Sequence, residues 1–517
     1  PSSFDLDDDS DGTLPNTQTF NNVVPGDYSV TEGAATGFDL TGINCVDPTT
    51  NSSGNTGTRV ASIDVAPGET VTCTFTNTKR AHIIIVKNAI PNNAQDFSFT
   101  GSGSIGSFLL DDDGNIANEL PKQRDFEVIP GEYSVSETMP PGWQFESATC
   151  DMGETIEDID VGPGETVPCT FENEELATII LVKNTIGGND TFNYVMTGSG
   201  LPTGAQLITV DNTDSETFSN LNPDNTYTIG ELETSGWALT DSSCTGTNTP
   251  TSITPNAGGV ITCTFVNNKP AAQIDLDPLE DVNKIGQDHV ITASIQVHNG
   301  NGTWGPAADG TLVTFALVNS NGATASFASG NTCTTTAGTC SVTINSPTTG
   351  DVSISASSSP VILGVTVNVA TNTGGENSAD ASKNYVNARI SIAQDDINEI
   401  DYPHTFTVSV EEDTGSGFTG AAGLNPVVTF SPSDPGSVTD NCALTGTNGS
   451  GQCTVVINSA VAGVFTASAS VNFEVNGVGF DISTDGTCEN SYTSTKTYVD
   501  ASIALSPQEA TNDVNEE

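Results

Sequence analysis

Positive charge is what this chain most lacks: 12 Lys and Arg stand against 65 Asp and Glu, a formal net charge of −53. Binding to phosphate needs a cationic stripe, so nucleic acid and anionic membrane are excluded as partners. A surface this acidic keeps a long polymer soluble, attracts divalent cations and suits high salt. Helical signal is also missing, because no stretch keeps an apolar helical period over three turns. No apolar run reaches the length of a membrane span. The four histidines, His82, His289, His298 and His404, are isolated from one another in sequence. There is no phosphate-binding glycine loop, nucleophile elbow, metalloprotease helix or Cys-x-x-Cys zinc cluster, so the expectation is that the chain is not an enzyme. Signal peptide, initiator Met and sorting signal are absent as well. Because the chain opens and closes inside repeats, it reads as a fragment of a longer secreted protein.

What is present is β-structure. Runs such as His82-Ile-Ile-Ile-Val, Val71-Thr-Cys-Thr-Phe and His404-Thr-Phe-Thr-Val-Ser-Val put β-branched and aromatic residues at period two. Gly, Pro, Asn or Asp bounds each run, which is the strand-and-turn pattern, and the fold class expected is all-β. At 517 residues the chain is too long for one core.

Internal repeats divide it. One motif runs from His82-Ile-Ile-Ile-Val-Lys-Asn through Pro130-Gly-Glu-Tyr-Ser-Val-Ser-Glu, Pro141-Gly-Trp and Cys150 to Cys169-Thr-Phe-Glu-Asn. It recurs from Thr178-Ile-Ile-Leu-Val-Lys-Asn to Cys263-Thr-Phe-Val-Asn. An earlier copy keeps Pro25-Gly-Asp-Tyr-Ser-Val-Thr-Glu, Cys45 and Cys73-Thr-Phe-Thr-Asn but lacks the two opening strands. After Pro270 a longer unit begins at Ala272-Gln-Ile-Asp-Leu, recurs at Ala388-Arg-Ile-Ser-Ile and starts again at Ala501-Ser-Ile-Ala-Leu. Its landmarks are His289 with His404, and Cys340-Ser-Val-Thr-Ile-Asn-Ser with Cys453-Thr-Val-Val-Ile-Asn-Ser. The stretch from Asn372 to Lys383 is the most linker-like in the chain.

The first repeat resembles prealbumin-like domains, such as the B-type repeats of collagen-binding surface proteins and the SpaA-type pilin domains. The second resembles bacterial Ig-like domains of the invasin and intimin kind. Both resemblances imply β-sandwiches strung along an extracellular stalk or fibre. The expected organisation is prealbumin-like over 1–80 (without its first strands), 81–176 and 177–269. Ig-like modules would then occupy 270–387 and 388–500, with 501–517 as the first strand of another.

Ten of the eleven cysteines fall in matched pairs at equivalent repeat positions: Cys45–Cys73, Cys150–Cys169, Cys244–Cys263, Cys333–Cys340 and Cys442–Cys453. Disulfides in an oxidising compartment explain this pattern, each contributing roughly 2–4 kcal/mol. Cys488 is left over, opposite Gly375 in the preceding repeat, and is either free or bonded to another chain.

Strand parity singles out a second constellation. Lys87 shares a face with Ile83 and Ile85, Glu137 with Tyr133 and Val135, and Asn173 with Cys169 and Phe171. If those faces point inward, one apolar core receives an amine, an acid and a carboxamide. Burial lowers the lysine pKa and raises that of the glutamate, which favours attack of the neutral amine on the carboxamide while the acid shuttles protons. The product is an intramolecular isopeptide bond, which the resemblance also implies. The next copy offers Lys183, Glu231 and Asn267. The earlier copy keeps Glu32 and Asn77, its lysine falling before the first residue. The plainer alternative is a lysine snorkelling from a strand end and an asparagine opening a turn.

Calcium is the one cofactor considered, at Asp7, Asp9 and Asp11, whose alternate spacing suits a hard cation. The closing glutamate is replaced by Gln18, however, and an acidic hairpin tip is the plainer explanation of the run. Asp111-Asp-Asp-Gly-Asn is a weaker echo, open to the same explanation. Asn51, Asn189, Asn301 and Asn448 begin glycosylation sequons in expected loops. The functional expectation is a structural repeat region of an extracellular, cell-surface stalk or filament, partnered by copies of itself or other surface proteins. The alternative is an adhesin that holds a receptor or glycan on loops of the Ig-like domains.

Overall fold

The computed structural model describes residues 3–9, 11–114, 120–506, 509–511 and 514. Strands dominate, and their alternating burial follows the sequence period: Ala81–Ile90 and Ala177–Ile186 each bury every second residue. Four separate clusters of buried apolar side chains lie within 81–171, 179–265, 274–385 and 386–498. Each is sandwiched between two sheets.

In the unit that begins at Ala81, one sheet has the order Trp143–Cys150, Thr166–Glu175, Ala81–Ile90, Gln123–Val128. The facing sheet has the order Val135–Thr138, Phe97–Gly101, Gly106–Leu110. The unit that begins at Ala177 repeats this plan, with Ala177–Ile186 parallel to Val260–Asn268 as Ala81–Ile90 is to Thr166–Glu175. The earliest unit has only Phe38–Val46 paired with Thr72–Lys79, opposite a sheet of Gly26–Thr31, Val60–Val65 and Ser53–Asn55. No parallel strand lies beside Thr72–Lys79 among the described residues, and this core is correspondingly open: Tyr28 and Phe38 are exposed.

The two C-terminal sandwiches share a strand. Ala381–Ala393 pairs with Gly350–Ser358 through its first half and with His404–Asp413 through its second. The inward face must change sides between the two cores, so Tyr385, Val386, Asn387 and Ala388 are buried in succession.

Two local expectations are corrected, and one short helix is added to the all-β plan. The stretch 372–383 is not a linker between modules. Asn377 and Ser378 hydrogen-bond the backbone of Ile274 and Leu276, folding the loop onto its own sandwich, and the strand has begun by Ala381. A one-turn helix, Asn441–Thr445, interrupts the all-β pattern. Asp440 caps it by accepting from the Ala443 amide, and it carries buried Cys442, a length too short for periodicity to reveal. Ala501–Leu505 forms no strand. Ile503 and Leu505 are 93% and 77% exposed, whereas their repeat equivalents Ile390 and Ile392 are buried against a following sheet that 501–505 does not have here.

Candidate cross-linking sites

In the Ala177 unit, the parallel pairing sets Lys183 opposite Phe265, so Asn267 lies two residues further along the neighbouring strand. Glu231 reaches both from the facing sheet. The Lys183 ammonium nitrogen is 2.9 Å from Glu231 Oε2 and 2.6 Å from Asn267 Oδ1, and Asn267 Nδ2 donates to Glu231 Oε1 at 2.5 Å. Tyr194 donates its hydroxyl to Glu231 Oε2, and the Phe192 ring lies 4.3 Å from the amine. Lys183 is wholly buried and the Glu231 side chain is 2% exposed. Burial holds the Lys183 amine below the ordinary lysine range, against the pull of Glu231. It pushes the Tyr194 phenol above its usual range.

The Ala81 unit builds the same site. Lys87 is opposite Phe171, Asn173 lies two residues on, and Asn173 Nδ2 donates to Glu137 Oε1 at 2.8 Å. Here Lys87 Nζ stands 3.5 Å from Glu137 and donates instead to the carbonyls of Asn88 and Phe171. Glu137 Oε2 and Asn173 Oδ1 are buried without a hydrogen-bond partner. Burial pulls the Lys87 amine down to about 8 and pushes the Glu137 carboxyl up. A buried amine that readily gives up its proton, beside an acid that readily keeps one, is the state in which an amine can attack a carboxamide.

In the first unit Asn77 Nδ2 donates to Glu32 Oε1 at 2.6 Å, and Arg59 stands 3.1 Å from Glu32 Oε2.

Disulfides join Cys45–Cys73, Cys150–Cys169 and Cys244–Cys263, each pair directly opposed on antiparallel strands, and also Cys333–Cys340 and Cys442–Cys453. Cys488 is free and exposed. Asp7, Asp9 and Asp11 gather their carboxylates within 4.8 Å of one another, while Asp9 and Asp11 accept backbone amides of their own turn. Gln18 is bonded to the Thr19 carbonyl. The echo at Asp111 is not a hairpin tip, since Asp111 and Asp112 are buried and Asp112 accepts from the Ala89 amide and pairs with Lys122. Its Asn115 lies outside the described residues. Asn51, Asn189, Asn301 and Asn448 are all exposed.

His289 and His404, the matched histidines of the second repeat, lie against carboxylates that hold two further buried lysines. Lys383 is 2.6 Å from Asp281 and Lys496 is 2.9 Å from Asp396, both lysines being wholly buried. His289 and His404 contact the same two carboxylates at 3.1 and 3.4 Å. The signal was in the sequence: a chain with 12 basic residues repeats a Lys and a His at matched positions.

Two family models described as prealbumin-like fold domains match the chain, one over residues 1–79 and 179–269 and the other over 83–171. No curated protein matches it in sequence. Among solved structures, the major pilin subunit BcpA of Bacillus cereus is 8% identical, with a TM-score of 0.24 over 63% of this chain and 99% of that one. The major pilin SpaD of Corynebacterium diphtheriae is 9% identical, with a TM-score of 0.23 over 63% and 98%. The D0-D1 domain of intimin is 15% identical, with a TM-score of 0.15 over 44% and 98%. Overlaps this small carry neither arrangement nor activity across.

Proposed function

Because the N-terminal half of the chain belongs to the prealbumin-like fold domains, we propose that the chain is a structural segment of an extracellular stalk or filament, stiffened at its junctions and cross-linked within its modules. The observation that carries this reading is the shortness of the junctions. Arg80 alone separates Lys79 from Ala81, and Leu176 alone separates Glu175 from Ala177. Lys269 and Pro270 separate Asn268 from Ala271, and the last junction is a single strand, Ala381–Ala393.

Each junction is also pinned. Arg80 grips Asp39 with two bonds of 2.9 Å and reaches Glu127 of the next unit. Glu175 accepts from Gly258 and Asn93. The backbone of Gly300 packs against Ile186 and Lys269 across the third junction, so closely that a Cβ there would stand 2.7 Å from the Ile186 carbonyl oxygen. Thr349 and Asn384 bond Asp413 and Thr414. A hinge needs residues whose backbone torsions are free to change, and these junctions have almost none.

Within the prealbumin-like modules, the amine of Lys87 or Lys183 attacks the carboxamide carbon of Asn173 or Asn267. Glu137 or Glu231 takes the amine proton and returns it to the departing nitrogen. The C–N bond of the carboxamide breaks, a new amide joins the two neighbouring strands, and ammonia leaves. Each site reacts once, on its own chain, so the chemistry is self-processing and not turnover.

Intact mass under non-reducing conditions tests the cross-link. One ammonia should be missing for each of these two sites, beyond the hydrogens removed by the disulfides. A mass equal to the disulfide-bonded chain alone removes the covalent reading. Electron microscopy of single chains tests the stalk, with rods of constant length expected. Beads at variable angles would argue for a flexible tether. Surface exposure and self-association are part of the same proposal, and the matched half-cystines fit an oxidising compartment.

A further inference from the structure

The register rule of the prealbumin-like sites recurs where the sandwich is of the other kind. Lys87 is paired with Phe171 and Lys183 with Phe265 on a parallel neighbour, and the reacting asparagine lies two residues beyond that partner. In the first C-terminal sandwich Lys383 is paired with Asp281 on the parallel strand Glu280–Lys284, and Asn283 lies two residues beyond. In the second, Lys496 is paired with Asp396 on Asp396–Glu399, and Asn398 lies two residues beyond. On a strand a step of two returns to the same face, so one register places a carboxamide two residues beyond the lysine's partner in all four modules.

The contacts agree. Lys383 Nζ is 2.7 Å from Asn283 Oδ1 and 2.6 Å from Asp281 Oδ2, against 2.6 Å to Asn267 and 2.9 Å to Glu231 for Lys183. Lys383 and Lys496 are fully buried, as Lys87 and Lys183 are. Each has an aromatic ring near the amine: Tyr385 at 5.7 Å, Tyr498 at 5.4 Å, Phe97 at 4.4 Å and Phe192 at 4.3 Å. What differs is the acid. Glutamate arrives from the facing sheet in one kind of module. In the other an aspartate comes from the asparagine's own strand, steadied across the sandwich by His289 or His404.

We propose that Lys383–Asn283 and Lys496–Asn398 are a second set of amide cross-links, formed in the C-terminal sandwiches with Asp281 and Asp396 as proton carriers. The inference rests on the amine–carboxamide chemistry assigned above to the prealbumin-like modules. The Asp281 carboxylate accepts a proton from the Lys383 ammonium, and Nζ bonds to Cγ of Asn283. Asp281 then protonates Nδ2 and takes the second proton from Nζ, the Cγ–Nδ2 bond breaks, and the nitrogen departs with both protons as ammonium. No oxidant or co-reactant enters. The new bond ties the strand that runs between the two sandwiches to the start of the first one.

A proteolytic peptide map of the full chain, resolved by mass, tests this. The expected result is a joined pair of peptides carrying Lys383 and Asn283, and another carrying Lys496 and Asn398, each lighter by one ammonia. Asn283→Ala should abolish the first pair and leave the second intact. Separate, unmodified Lys383 and Asn283 peptides alongside a joined Lys183–Asn267 pair would overturn this inference alone. Separate peptides at all four sites would overturn it together with the proposed cross-linking of the prealbumin-like modules. A join between Lys383 and Asp281, lighter by one water, would also overturn it, because the carboxamide would then have taken no part.

Discussion

The prealbumin-like half and the C-terminal half each bury a lysine beside an acid and an amide, yet they treat the acid differently. The Glu137 side chain is 2% exposed, whereas those of Asp281 and Asp396 are 42% and 46% exposed. A carboxyl enclosed in a core is driven toward its neutral form, and a carboxylate at a rim keeps its charge and its water. Partial burial pushes Asp281 up, but the hydrogen bond and charge of Lys383, the Val282 amide and His289 together hold it below its usual range. Burial pushes the Glu137 carboxyl up, whereas Asp281 and Asp396 are held below their usual range. Enclosure, and not the identity of the residues, sets the direction.

Removing the lysine should expose this difference most sharply. Lys183→Ala leaves Glu231 enclosed without its cation and should cost about 3–5 kcal/mol, before any covalent bond is counted. Lys383→Ala leaves an aspartate that water can reach, and about 1–3 kcal/mol is expected. Denaturant melts of the two variants check the order, and equal losses would mean that enclosure does not matter.

The junction between the C-terminal sandwiches offers a second test. Gly415 has φ +116, and a Cβ there would stand 2.8 Å from Gly350 Cα and 2.9 Å from the Asn321 carbonyl. Gly415→Ala should cost about 1–3 kcal/mol through this overpacking. Hydrogen exchange should quicken around Asn384 and Asp413 while the amides of Ala177–Ile186 keep their protection.

The smallest effects concern pH, and they run in the same direction over different windows. Burial, helped by the charge of Lys383 or Lys496, holds His289 and His404 below 6.5. Their unfolded forms therefore bind protons first, and the stabilisation present above pH 6.5 is lost as pH falls through the depressed folded values. For an unlinked Lys87, with a folded value of about 8 against 10.5 unfolded, stability of that module should rise between those limits. A cross-linked Lys87 has no such proton to lose, so a flat melting profile over that window reports the bond. Thermal melts across pH distinguish the two halves.

Much of the fold was legible because a sheet buried on one face writes its period into the chain. Ile83, Ile85 and Lys87 alternate with half-buried neighbours, and all three are wholly buried, as parity implied. The cysteine partners were legible for the same reason, since they repeat. The acid cluster at Asp281 was not. Asp281 and Lys383 are 102 residues apart, and only the parallel pairing of Glu280–Lys284 with Ala381–Ala393 sets one opposite the other. The buried Asp112 was misread as a tip because a run of acidic residues looks solvated until a backbone amide and Lys122 are found beneath it.

Composition and periodicity, by themselves, determined an acidic, repetitive, all-β chain with its half-cystines in register and a lysine, a glutamate and an asparagine on inward faces. Those are properties of single strands, and single strands are written locally. The tertiary structure alone decided which acid meets which amine, how far water reaches it, that Arg59 pairs with Glu32, and that one strand serves two sandwiches. Each of these depends on which strands become neighbours, a choice made by the closing of a whole core and carried by no segment alone.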